Sequence, residues 1–83
     1  MNWTLRFSDK AAKELRKLAS KDQARILSFL TERAAKRQNP RELATQLVGP
    51  VTEYWRFRVG DHRIVVQFRE QEMLIMVIAI RCA

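Results

Sequence analysis

Period-two alternation of apolar and polar residues near the N-terminus and again through the last third of the chain, with two stretches of helical period between them, predicts an α+β fold. The expected order is β-α-α-β-β-β, two N-terminal helices packed on one face of a mainly antiparallel four-stranded sheet. Eighty-three residues, 47% of them hydrophobic, suffice for one core, because a chain of this size buries somewhat more than about 60% of its unfolded surface. One domain over residues 1–83 is therefore expected.

Within "WTLRF", Trp3, Leu5 and Phe7 share one face and Thr4 and Arg6 the other, as in a half-buried strand. Ser8 follows as a helix N-cap. Ala11, Ala12, Leu15, Leu18 and Ala19 then form an apolar arc opposite Lys10, Lys13 and Lys17, so this helix should lie on the core with its lysines in water. "SKDQ", Ser20 to Gln23, has the S-x-x-Q form of a capping box and marks the junction to a second helix. The buried face of that helix is expected to be Ile26, Leu27, Phe29, Leu30 and Ala34. "NPRE" at 39–42 reads as a further helical start, with Asn39 as cap and Pro40 in the first turn, and Gly49-Pro50 ends it soon after. Strands are expected at 52–59, 62–69 and 73–80, with turns at Gly60-Asp61 and near Glu70-Gln71. The last of them, "MLIMVIAI", is apolar on both faces, although the helices can cover only one. Either it is a central strand whose other face is covered by flanking side chains, or a partner segment lies over it.

Sixteen Lys and Arg against nine Asp and Glu give a net charge of +7. Residues 1–50 carry eleven basic and five acidic side chains, and residues 51–83 five and four. A bias of this sign favours anionic partners such as nucleic acid, acidic protein segments or anionic membrane surfaces; the blander reading is a solubility charge on exposed helices. The single cysteine, Cys82, excludes an intrachain disulfide, and a reducing cytoplasm is the expected setting. The N-terminus lacks the continuous apolar stretch of a signal peptide. The longest apolar run, Met73 to Ile80, is far shorter than the ~20 residues a membrane helix needs, so a soluble protein with no membrane partner is expected. The sequence contains no acidic cluster with metal-ligand spacing, nucleotide-binding glycine loop, or serine or cysteine nucleophile motif, and no cofactor is implied.

The segment "YWRFRVGDHRIVV", residues 54–66, is chemically the most informative. Alternation puts Tyr54, Arg56 and Arg58 on one face and Trp55, Phe57 and Val59 on the other. A turn of even length then brings Arg63 onto the arginine face, directly opposite Arg58, although like charges across a sheet are destabilising. Guanidinium groups suit phosphate oxygens in bidentate contacts, so the repulsion is tolerable where a phosphate sits among them. Otherwise the arginines splay into solvent and pair with Glu53, Asp61 or Glu72, in exposed pairs that contribute little. If the phosphate belongs to RNA, cleavage by the neighbouring 2′-hydroxyl needs proton removal, charge stabilisation and protonation of the leaving oxygen. The one histidine, His62, points away from Arg63 and reads as a turn-edge residue, while arginine is a poor proton acceptor. Such a site depends on a substrate already held in a reactive geometry. Cys82 has no histidine near it in sequence to activate it.

The β-α-α-β-β-β order, "KAAKELRKL", the L-x-G of Leu47 to Gly49 and above all "YWRFRVGDHRIVVQF" before a hydrophobic last strand resemble the RelE/ParE superfamily of bacterial type II toxins. The similarity covers nearly the whole chain, and the R-x-R-V-G-D-x-R hairpin is its most specific piece. The resemblance implies a RelE-like fold and a small basic toxin, held inactive in a hetero-oligomer by a cognate antitoxin that wraps it and masks or distorts its active surface. In the RelE branch it implies an mRNA endoribonuclease that enters the ribosomal A site, cuts by 2′-hydroxyl attack and stops translation, using basic side chains of the middle strands. By position, Arg63 matches the arginine that opens the third strand. Arg56 and Arg58 fall where that branch has two basic residues, in a hairpin one residue shorter. Lys10, Lys13 and Lys17 suit ribosomal RNA, and Tyr54 is expected to join them in RNA binding. Family members usually continue past the last strand with a tail bearing further basic residues and often a tyrosine. Here the chain stops at "IRCA", Arg81 replaces the tail arginine, and an attenuated or different action is expected.

Two readings of different classes follow from this resemblance. In the first, a ribosome-dependent mRNA endonuclease uses Arg56, Arg58, Arg63 and Arg81 to hold and stabilise the scissile phosphate. In the second, a non-enzymatic ParE-like toxin binds and poisons DNA gyrase. The arginine cluster leans toward the nuclease and the missing tail toward the binder. A plain nucleic-acid-binding domain fits less well, because no aromatic stacking platform interleaves with the arginines.

Overall fold

The computed structural model describes residues 2–49 and 53–82. Strand β1 (Thr4–Phe7) leads into helix α1 (Asp9–Arg16) and helix α2 (Ser20–Ser28), which continues as a wider π-helical stretch (Phe29–Ala34). A 3₁₀ turn (Pro40–Leu43) precedes β2 (Thr45–Gln46), and β3 (Tyr54–Val59) and β4 (His62–Arg69) form the hairpin. A second 3₁₀ turn (Glu70–Glu72) leads to β5 (Leu74–Cys82). The sheet order is β1-β5-β4-β3-β2, with β1 parallel to β5 and every other pair antiparallel. The fold is thus the expected α+β arrangement with both helices on one face. The sheet has five strands where four were expected. Thr45 and Gln46 pair with Arg56 and Trp55, and a strand of two residues is too short to carry an alternation. Thr52, the expected start of a strand, and Pro50 lie outside the described residues.

Local chemistry sets the helix ends. The Ser8 hydroxyl accepts from the Ala11 N–H at 3.0 Å, as an N-cap should. Helix α1 stops earlier than its apolar arc implied, with the Lys17 N–H bonded back to Lys13 and Glu14, so Leu18 and Ala19 lie in the link. The capping box at Ser20 does not form. Ala19 takes the cap position without a side-chain bond, and Gln23 Nε2 instead donates to the Leu18 carbonyl at 2.8 Å, tying the start of α2 to the link. Leu27 is exposed at 37%. It is turned about 100° from Ile26, and Ile26, with Leu30 beyond it, is the residue that meets the sheet. Five residues after Leu30, the Ala35 N–H bonds to its carbonyl at 2.9 Å, and this wide turn places consecutive Ala34 and Ala35 in the core.

The core lies between the helices and one face of the sheet. Ala11, Ile26 and Leu30 pack with Phe57, Ile64, Val66, Ile75 and Val77. Phe57 meets Phe29 and Phe68 edge to face at centroid distances of 5.3 and 5.9 Å, a favoured aromatic geometry. Strand β5 lies inside the sheet, and on its face away from the helices Leu74 and Ala79 are buried and Met76 half-buried. Its register against β4 slips between Val65–Ala79 and Val66–Val77, leaving Ile78 as a bulge. Past the end of β1 the exposed edge of β5 is satisfied by the helical side. Ser8 Oγ donates to the Ile78 carbonyl at 3.0 Å, and Glu14 Oε1 accepts from the Ile80 N–H at 3.0 Å. Among the described residues no helix is long and apolar enough to cross a membrane.

Candidate nucleic-acid interface

The two-residue Gly60-Asp61 turn fixes the face on which each hairpin side chain stands. Gly60 takes φ +59°, the positive value that tight hairpin turns require and side chains resist. Val59 therefore faces His62, and Arg58 pairs directly with Arg63. The β4–β5 register continues the row, because Arg63 pairs with Arg81. Three exposed arginines from three adjacent strands thus stand side by side, with neighbouring Cα atoms about 5 Å apart. The next row along the same face is Arg56, Val65 and Ala79, and the one after it is Tyr54, Gln67, Met76 and Arg6. Arg56 lies about 7 Å and Tyr54 about 13 Å from Arg58 along β3.

Among the described residues no ion pair offsets this row. The ion pairs among the described residues are Lys36–Glu32, Arg37–Glu42 and Arg41–Glu70, so Arg56, Arg58, Arg63 and Arg81 make none with Glu53, Asp61 or Glu72. Glu72 sits in the turn at the other end of β4 and β5. His62 stands on the helix side of the sheet, out of the arginine row, where it pairs across strands with exposed Cys82. The chain brings these two together although they are twenty residues apart in sequence. Among the described residues no cluster of three or more His, Cys, Asp or Glu is placed to hold a metal ion.

The structure brings together Arg58, Arg63 and Arg81, with Arg56 one row away and Tyr54 at the far end of the same face. It does not bring Lys10, Lys13 and Lys17 to them. Helix α1 packs on the opposite face of the sheet through Ala11, and the three lysines stand exposed on its solvent side. Three residues escaped the reading of the sequence. Glu14 secures the end of β5 from α1. Arg25 and Arg33, on α2 and its continuation, reach the hairpin near Gly60 and Arg58. The only local signal for them was Phe29 four residues before Arg33, a spacing that puts ring and guanidinium on one helix face.

The chain is thus a small basic α+β domain with its helices on one side of the sheet and a row of arginines on the other. The family model for the ParE toxin of type II toxin–antitoxin systems matches residues 5–83, and the chain belongs to that family: it is a toxin of a type II toxin–antitoxin system. No curated protein matches it in sequence. Among solved structures it is similar to a chain of the RelBE2 toxin–antitoxin complex of Mycobacterium tuberculosis, with a TM-score of 0.90 at 17% identity over 100% of this chain and 93% of that one. It is also similar to the isolated E. coli RelE toxin, with a TM-score of 0.76 at 23% identity over 98% and 84%. The archaeal RelE–RelB complex of Pyrococcus horikoshii gives a TM-score of 0.78 at 21% identity over 99% and 96%. The fold is RelE-like.

Proposed function

We propose that this toxin is a ribosome-dependent mRNA endoribonuclease that is neutralised by a cognate antitoxin. The observation that carries the reading is the row Arg58–Arg63–Arg81, which makes no ion pair among the described residues. One phosphodiester laid across it has its non-bridging oxygens within reach of guanidinium forks on both sides, and those forks stabilise the extra negative charge that develops as the 2′-hydroxyl attacks. Arg56 holds the strand one row away. The face offers no histidine or carboxylate in the row to take the proton, so the rate comes from charge stabilisation and from the geometry in which the ribosome presents the mRNA. That need for an external geometry is the reason to expect ribosome dependence.

The alternative is a non-enzymatic toxin that binds and poisons DNA gyrase. Two observations favour it: the matching family model is that of ParE toxins, and the arginine row lacks a proton acceptor. A defined mRNA in a purified translation system, with and without ribosomes, separates the readings when the chain is supplied free of antitoxin. Cuts that appear only with ribosomes support the nuclease. An intact mRNA, together with inhibited supercoiling by purified gyrase, supports the binder.

A further inference from the structure

A second group of arginines lies around the edge of the sheet from the row. Arg25 of α2 and Arg33 of its π-helical continuation meet Arg58 of β3 around an open cavity of about 280 Å³, lined also by Ser28, Phe29 and Gly60. The positions of the two helical arginines are defined by contacts. The Arg33 guanidinium lies 5.3 Å from the centroid of the Phe29 ring, a cation–π distance. Arg25 sits close to Gly60, where a Cβ would stand 2.9 Å from its Nη1, so its guanidinium lies against the hairpin turn. None of the three forms an ion pair, since the pairs among the described residues involve other side chains. Asp22 and Asp61 share the adjoining cavity with Arg25 but stay beyond ion-pair distance of it.

Guanidiniums from three elements thus converge on a cavity whose lining contains no carboxylate and whose other polar side chain is a hydroxyl. Such a set repels itself when empty and suits a tetrahedral anion with several acceptor oxygens. Arg58 belongs both to this cavity and to the row. We propose that the cavity holds a second backbone phosphate of the RNA strand whose scissile phosphate lies on the row, with Arg58 between the two. The strand then wraps the free edge of β3 from the open face of the sheet toward α2. This inference rests on the RNA reading above.

The test is a titration of the full chain, freed of antitoxin, with a short single-stranded 2′-O-methylated RNA, which 2′-hydroxyl attack cannot cleave. The arginine side-chain Nε–H signals are followed by NMR. Arg25 and Arg33 are expected to shift together with Arg58, Arg63 and Arg81. The double variant R25Q/R33Q, altered at two exposed positions, should keep the shifts of Arg63 and Arg81 and bind about tenfold more weakly. Its plot of log affinity against log salt should be shallower by about 0.7, the increment for one phosphate on a single strand. If Arg63 and Arg81 respond while Arg25 and Arg33 stay silent, and the double variant binds like the parent, the second site is wrong and the row stands. Silence of all the arginines overturns both. A response of Arg25 and Arg33 to a glutamate-rich peptide but not to the RNA also overturns the proposal, and gives the cavity to a protein partner.

Discussion

Glu14 shows how a residue outside the arginine row can govern it. Its carboxylate accepts from the Ile80 N–H, one residue before Arg81, at an edge of β5 that neither β1 nor β4 satisfies. Replacing it by alanine leaves that N–H without its acceptor, at a cost of about 1–3 kcal/mol. Because Glu14 is half-buried and water can reach the gap in part, about 1 kcal/mol is expected for Glu14→Ala. Glu14→Gln keeps an acceptor oxygen and should lose less than half as much. Urea unfolding of the two variants measures this, and equal losses would mean that the carboxylate does not hold β5. Arg63→Ala is expected to behave in the opposite way. The residue is exposed in the middle of three like charges, so its removal should leave stability unchanged or raise it by up to about 1 kcal/mol, while growth arrest on induction disappears. Arrest at full strength with Arg63→Ala would remove the row from the site. The sequence pointed to Arg63 because strand parity is local, two residues at a time. It was silent about Glu14, which reads as one more polar position of an amphipathic helix. The need it meets arises at Ile80, on the free edge of β5 sixty-six residues away in the chain.

At the scale of elements, the parity of β3 decides which aromatic residues are structural. Phe57 is fully buried, in edge-to-face contact with Phe29 and Phe68. Trp55 is on the same face but half-buried, bounded by Phe68 and by the guanidinium of Arg41 at 5.7 Å. Phe57→Ala should therefore destabilise by about 3–5 kcal/mol, and Trp55→Ala by no more than about 3 kcal/mol. Thermal or denaturant melts of both rank them, and a larger loss at Trp55 would contradict the packing. Alternation in "YWRFR" and "HRIVV" made this face legible from sequence, as did the Gly60-Asp61 turn, because hairpin geometry follows from two residues. The elements that were not legible lack a local signal or have two competing ones. The two-residue β2, the π-helical turn at Phe29–Ala34 and the bulge at Ile78 interrupt the period that marks their neighbours. At Ser20 two local bonds compete, and the Gln23 amide reaches the Leu18 carbonyl instead of folding back on the Ser20 backbone.

At the scale of the molecule, two of the basic groups behind the +7 charge, the arginine row and the α1 lysines, stand on opposite faces and cannot both touch the same short stretch of RNA. Arg56, Arg58, Arg63 and Arg81 stand on the open face of the sheet, whereas Lys10, Lys13 and Lys17 stand on the outer side of α1, with the core between them. Composition alone gave the sign of the charge and could not give this division, which depends on how helix and sheet are stacked. On the proposed ribosomal reading, the toxin has ribosomal RNA behind it as well as mRNA in front, and this arrangement allows the lysines to contact the one while the arginines contact the other. If so, the lysines contribute to association and not to chemistry. Exposed charges of this kind steer encounter with a polyanion, and their reach is set by a Debye length of about 8 Å at physiological salt. The triple variant K10Q/K13Q/K17Q should then need about tenfold more toxin, or more ribosomes, to reach half-maximal mRNA cleavage at low salt, with the maximal rate unchanged. The deficit should shrink as salt is raised toward 1 M, where screening falls to about 3 Å and the parent loses the same advantage. A lower maximal rate with an unchanged half-saturation point would instead tie the lysines to the cleavage step, and would imply that the substrate reaches around α1 and does not lie across the arginine row alone.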